Sequence, residues 1–129
     1  MITSLYILPL TIILLVLIFQ VIKLRRKNRV GLGSGGHDDL TQAIRAHGNF
    51  VETVPFALIL MVLLEYQGAP DWAIHIFGGL LVIARIAHAQ GLYESKGESK
   101  GRLIGTLTTL FLFGAGAVAL FGIALIDFI

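Results

Sequence analysis

The sequence predicts an all-α integral membrane protein, a bundle of four transmembrane helices. The chain of 129 residues is 56% hydrophobic and only 14% charged. With a mean hydropathy of +0.84, it has too little polar surface to clothe a soluble domain. Its apolar residues gather in four runs, each long enough to cross a hydrocarbon core of about 30 Å. Its ten basic residues collect at one end of those runs. Four spans of about 20 residues leave only short connections, so a single domain over 1–129 is expected. The absence of cysteine excludes a disulfide framework and a thiolate metal site. Any thiol chemistry must therefore use a thiol brought by a ligand.

The first run, about 5–22, is interrupted only by Pro9, Thr11 and Gln20. No Lys or Arg precedes it, no A-x-A-like cleavage site follows, and the basic cluster comes after it. That polarity suits a retained span with its N-terminus outside rather than a signal peptide. The second span, about 39–66, should open near Asp38 or Asp39, either of which can cap free N–H groups and complement the helix dipole. Pro55 within it removes one backbone bond to Val51 and predicts a kink. Residues 67–71 read as a turn, and the third span follows over about 72–92. A polar loop separates it from the fourth, about 102–125. This last span is rich in Gly105, Gly114, Ala115, Gly116, Ala119 and Gly122, the small residues that let membrane helices approach closely.

Orientation follows from the basic residues, Lys23, Arg25, Arg26, Lys27, Arg29, Arg45, Arg85, Lys96, Lys100 and Arg102. All lie in the first or third loop or in the adjoining helix ends. The opposite face has Glu65, Asp71 and Asp127 and no Lys or Arg. The positive-inside rule then puts the first and third loops in the cytoplasm and both termini outside. Gly31, Gly33 and Gly36 satisfy the dinucleotide pattern G-x-G-x-x-G. They follow a basic juxtamembrane segment rather than a strand, so a flexible linker is the better reading.

Polar groups within the spans carry the functional information. Arg45, Asn49 and Glu52 are spaced i, i+4, i+7 and form one stripe on the second helix, with His47 nearby. A charge near the centre of a membrane helix costs at least about 2.5 kcal/mol, so Glu52 requires partners. Arg85 and His88 lie about two turns from the basic end of the third span, and Arg102 opens the fourth. Interhelical ion pairs such as Glu52 with Arg85 would account for part of this set. Three arginines facing one carboxylate favour an anionic ligand entering from the cytoplasm, with Glu52 holding an ammonium group of that ligand. The four histidines, His37, His47, His75 and His88, show no i, i+4 pairing, and no metal site is expected.

The run Arg45-Ala46-His47-Gly48-Asn49-Phe50-Val51-Glu52, followed by Thr53-Val54-Pro55-Phe56, resembles the second-helix signature of the MAPEG superfamily. These are membrane-associated proteins in eicosanoid and glutathione metabolism. The likeness extends over four helices, a basic first loop, the Arg85 and His88 pair, and Arg102 opening the last helix. It implies a homotrimer binding glutathione as co-substrate between adjacent subunits near the cytoplasmic face. Arg45, Asn49 and Glu52 match the glutathione-contacting positions. Arg85 and His88 match polar residues of the same cleft, and Arg102 matches the thiol-activating arginine. The chain is similar to the prokaryotic branch, which implies a bacterial inner membrane, with the lipid bilayer as partner and no nucleic acid. It departs from the family at Gly48, where prostaglandin-forming members have a basic residue, and at Phe50, where several members have Asp. Leu92 stands where some members have a tyrosine. Tyr93 is about 100° round the helix and reads as an interfacial anchor. The eicosanoid chemistries are therefore not expected.

Glutathione also suits the charge inventory, since it brings two carboxylates, one ammonium and a thiol that must ionise to react. A thiol of pKa about 8.5 is about 3% thiolate at pH 7, and a guanidinium that lowers it to about 6 raises this to about 90%. The function so implied is a membrane-bound glutathione transferase or peroxidase acting on hydrophobic electrophiles or hydroperoxides. Its rivals are a non-catalytic glutathione-binding or scaffold protein and a small transporter. Transport would be marked by interrupted helices and polar groups at the bilayer midplane, which the sequence lacks.

Overall fold

The computed structural model describes residues 1–94 and 99–128, and the side chains of all of these except 92–94 and 127–128. Four helices follow one another, α1 (Thr3–Asn28), α2 (Asp38–Tyr66), α3 (Asp71–Glu94) and α4 (Lys100–Phe128). All four are long and apolar enough to cross a membrane, and no strand occurs among the described residues.

The helices outrun the apolar segments for identifiable reasons. α1 continues past Ile22 through Arg25, Arg26 and Lys27, good helix formers whose charge suits the negative end of the dipole. It ends at Arg29, left-handed at φ 55°, and the Val30 N–H closes the turn on the Arg25 carbonyl at 3.0 Å. Asp38 and Asp39 serve the start of α2 from within its first turn rather than from the N-cap. His37 occupies the N-cap without a side-chain bond, and both aspartates lie in the first turn. The Asp39 carboxylate accepts from the Leu40 N–H at 2.8 Å and from Asn28 Nδ2 at 3.3 Å. It also pairs with Lys27 Nζ at 3.4 Å, which ties the end of α1 to the start of α2. α2 runs unbroken through Pro55. The segment read as a flexible linker is folded onto α1, with Arg25 Nη1 donating to the carbonyls of Gly31 (3.2 Å) and Gly33 (3.0 Å).

α2 and α3 form the centre of the bundle. Each contacts the other three helices, and together they separate the flanking pair, since α1 and α4 do not touch among the described residues. The core stripe of α2 (Ala46, Phe50, Val54, Ala57, Leu60, Met61, Leu64) recurs at helical spacing and meets Ile74, Phe77 and Leu81 of α3. α1 contributes Leu10, Leu17 and Leu24, one residue every two turns, and turns the rest of its apolar surface outward.

The small residues of α4 divide between two uses. A Cβ on Gly105 would lie 2.5 Å from the Ala84 carbonyl oxygen, and one on Gly101 would lie 2.8 Å from that of Ala87. These glycines let α4 close on α3 backbone to backbone. Gly116 is packed by Phe77, whereas Gly114 and Gly122 have nothing within reach of a Cβ.

Candidate functional site

Arg85 is the most deeply placed charge, only 2% exposed, and its partners come from two neighbouring helices. Nη1 donates to Asn49 Oδ1 (2.6 Å) and to Thr53 Oγ1 (3.1 Å) on α2. Nη2 donates to the Gly105 carbonyl (2.9 Å) and to Thr109 Oγ1 on α4. Each hydroxyl spends its own proton one turn back, Thr53 on the Asn49 carbonyl (2.7 Å) and Thr109 on that of Gly105 (2.8 Å). Both oxygens are thereby left as acceptors for the guanidinium. The cage is neutral, and the ion pair of Arg85 with Glu52 contemplated from the sequence does not form. Nε is buried without a hydrogen-bond partner among the described residues.

One turn toward the basic end, His88 and Arg102 line a cavity of about 590 Å³, together with Ser99, Lys100, Leu103 and Thr106. The close α3–α4 approach builds this wall. A Cβ on Gly105 would strike the His88 Cβ at 2.7 Å, and one on Gly91 would strike Ser99 Oγ at 2.5 Å and the Arg102 backbone nitrogen. Arg85 lies beneath this wall and is not part of it, which departs from its expected place in the cleft lining. Near the opposite end, a groove of about 390 Å³ between α3 and α4 is walled by Trp72, Phe77, Phe111 and similar apolar residues. It offers no charge to orient a zwitterionic tripeptide.

The remaining motif residues lie on α2. Arg45 and Glu52 are exposed, and His47 and Asn49 half-buried. Glu52 has no hydrogen bond or ion pair with the described residues, and its Oε1 lies over Gly48, 3.8 Å from where a Cβ would sit. Neither Arg45 nor Glu52 lines the cavity of His88 and Arg102. The structure thus joins Asn49 to Arg85 and His88 to Arg102, and leaves Arg45 and Glu52 turned outward. The Tyr93 side chain lies outside the described residues.

Sequence reasoning missed the partners of these groups. Thr53, Gly105 and Thr109 are ordinary in a membrane helix, and only the i, i+4 spacing of Gly105 and Thr109 hinted at a shared acceptor site. Glu65, counted only as a charge on the opposite face, is the N-terminal clasp of α1. Its carboxylate accepts from the Ile2 N–H, the Thr3 N–H (2.9 Å) and Thr3 Oγ1 (2.6 Å), and the terminal ammonium lies 3.9 Å away. These are donors that a helix start leaves unsatisfied. Nearby, Tyr6 Oη donates to the His75 carbonyl at 3.0 Å. His75 Nδ1 lies 2.9 Å from the same phenol oxygen.

Comparison with known proteins agrees with this architecture. The chain is 40% identical over 94 residues to the "Inner membrane protein YecN" of Escherichia coli K12, covering 73% of this chain and 72% of that protein. The protein of the same name from Escherichia coli O6:H1 matches to the same extent. No solved structure matches the chain. The model of the MAPEG family matches residues 3–122, and the chain belongs to that family.

Proposed function

We propose that the protein is a glutathione-dependent transferase or peroxidase of a bacterial inner membrane, working as a homotrimer with its site between copies. The carrying observation is the division of the motif. Arg45 and Glu52 stand on the outside of α2, while His88 and Arg102 line a cavity on α3 and α4. The described residues of one chain do not bring these two halves together. An exposed carboxylate and guanidinium on a membrane helix are costly unless something outside the chain compensates them. The surface of a second copy, with a zwitterionic ligand between, supplies both charges. The name of the Escherichia coli relatives supports the inner membrane, and the basic first and third loops support their placement in the cytoplasm with both termini outside.

In this reading glutathione carboxylates meet Arg45 and the cations of the cavity, and its ammonium meets Glu52. The thiol lies near Arg102, whose guanidinium stabilises the thiolate before it attacks a hydrophobic electrophile or a hydroperoxide arriving from the bilayer. Arg85 acts at one remove. Its bonds to Asn49 and Gly105 hold α2 and α4 in register around the cavity. The test is thermal unfolding in detergent with and without millimolar glutathione. A ligand at 100 times its dissociation constant adds about 2.7 kcal/mol. An unmoved transition would remove the proposal.

Arg102 is the proposed thiol activator. Ultraviolet absorption of bound thiolate near neutral pH should fall in Arg102→Lys, because a flexible ammonium lacks the planar fork, and fall further in Arg102→Ala. If the alanine variant binds glutathione and its thiol titrates as in the wild type, Arg102 is not the activator.

A further inference from the structure

α1 carries a second pattern that the glutathione reading does not use. At 100° per residue, Leu8, Ile12, Leu15, Val16 and Phe19 fall on one arc of the helix. All are exposed, Leu8 at 67% and Phe19 at 64%, and Leu10, Leu17 and Leu24 on the opposite side are buried. This arc faces acyl chains. Followed toward the basic end, the same arc continues through Lys23 and Arg26, four and seven residues beyond Phe19, and both are exposed. The rise of 1.5 Å per residue puts them about 6 and 10 Å above Phe19, where hydrocarbon gives way to headgroups.

Two neighbouring cations are already used. Lys27 pairs with Asp39, and Arg25 turns inward to the loop carbonyls of Gly31 and Gly33. Lys23 and Arg26 have no side-chain partner among the described residues. Spaced i, i+3, they are neighbours on the helix surface, a point charge beside a bidentate fork, a pairing suited to one phosphate group. An occupant of this face must present hydrocarbon to Phe19 and an anion to Lys23 and Arg26. A phospholipid of net negative charge does both. A zwitterionic lipid carries its own cation, and a soluble anion has nothing to lay along Phe19.

We infer that Lys23 and Arg26 form a headgroup site for anionic phospholipid on the outer face of α1. The experiment is electron paramagnetic resonance of the full chain in phosphatidylcholine vesicles, with spin-labelled phosphatidylglycerol compared with spin-labelled phosphatidylcholine. The wild type should prefer phosphatidylglycerol, by about fivefold per cation, the equivalent of about 1 kcal/mol each. Lys23→Gln with Arg26→Gln should bring the preference down to the level of phosphatidylcholine, while Lys23→Arg with Arg26→Lys should retain it. Unchanged thermal unfolding of the glutamine pair would tie the loss to the site and not to folding. No preference in the wild type, or full preference in the glutamine pair, would overturn the site. Displacement of the lipid by millimolar glutathione would also overturn it, by assigning these cations to the other ligand.

Discussion

α2 carries one glutamate at its middle, Glu52, and one at its end, Glu65, and the chain treats them in opposite ways. Glu65 is surrounded by donors from the start of α1. Its charge is spent on holding the first helix to the second. Glu52 is exposed and unpaired among the described residues, although it lies nearer the middle of the same apolar helix. A membrane helix tolerates either arrangement only if the charge is compensated. For Glu65 compensation is internal and the role structural; for Glu52 the described residues supply none, and the proposed function places it on a second copy and its ligand. The same division separates Arg85, held through its two Nη atoms by four neutral acceptors, from Arg45, exposed on the α2 surface.

Internally compensated groups should cost stability when altered, and those away from the cavity, such as Glu65, should leave ligand chemistry intact. The largest effect is expected at the seam that supports the Arg85 cage. Gly105→Ala drives a methyl group toward the Ala84 carbonyl at 2.5 Å, which α3 and α4 can relieve only by separating. A loss of about 3 kcal/mol is expected, read as a lower unfolding transition in detergent. Thr109→Val keeps the shape and removes one acceptor from the buried guanidinium, for a loss of about 1–2 kcal/mol. Glu65→Gln should lower the transition as well by weakening the clasp on Thr3, with glutathione affinity unchanged. A coincident loss of affinity would erase the distinction between the two glutamates of α2.

The smallest effect on stability belongs to Glu52→Gln, and it should be accompanied by the clearest loss of glutathione binding. Since Glu52 is exposed and has no partner among the described residues, neutralising it breaks no described contact of the fold. A fall of about 3–5 kcal/mol, as for a broken buried pair, would mean that Glu52 is structural after all.

What the sequence could reveal follows the same physics. The four helices were legible because apolar runs of span length admit few alternatives, and the functional stripe was legible because Arg45, Asn49 and Glu52 recur at helical spacing among apolar residues. Which arginine is buried was not legible. Arg85 and Arg45 look alike in sequence, and only the convergence of Asn49, Thr53, Gly105 and Thr109 from two other helices separates them. Nor could the sequence show that Glu65 caps α1, because the donors belong to a segment about 60 residues away and look like any helix start. Asp39 shows the converse. Its position suggests an N-cap, yet His37 holds that place and Asp39, two residues on, takes the Leu40 N–H from within the first turn.

The central claim is that one copy supplies Glu52 and another supplies Arg102 to the same site, and subunit mixing tests it most directly. Chains carrying Glu52→Gln and chains carrying Arg102→Ala are co-expressed, purified together, and assayed for thiolate absorption at a glutathione concentration near the wild-type dissociation constant. Each variant alone should give little signal. The mixture should regain it, because some contacts bring an intact α2 face against an intact cavity. If the mixture gives no more signal than the two variants assayed separately, Glu52 and Arg102 act within one chain and the shared site is wrong.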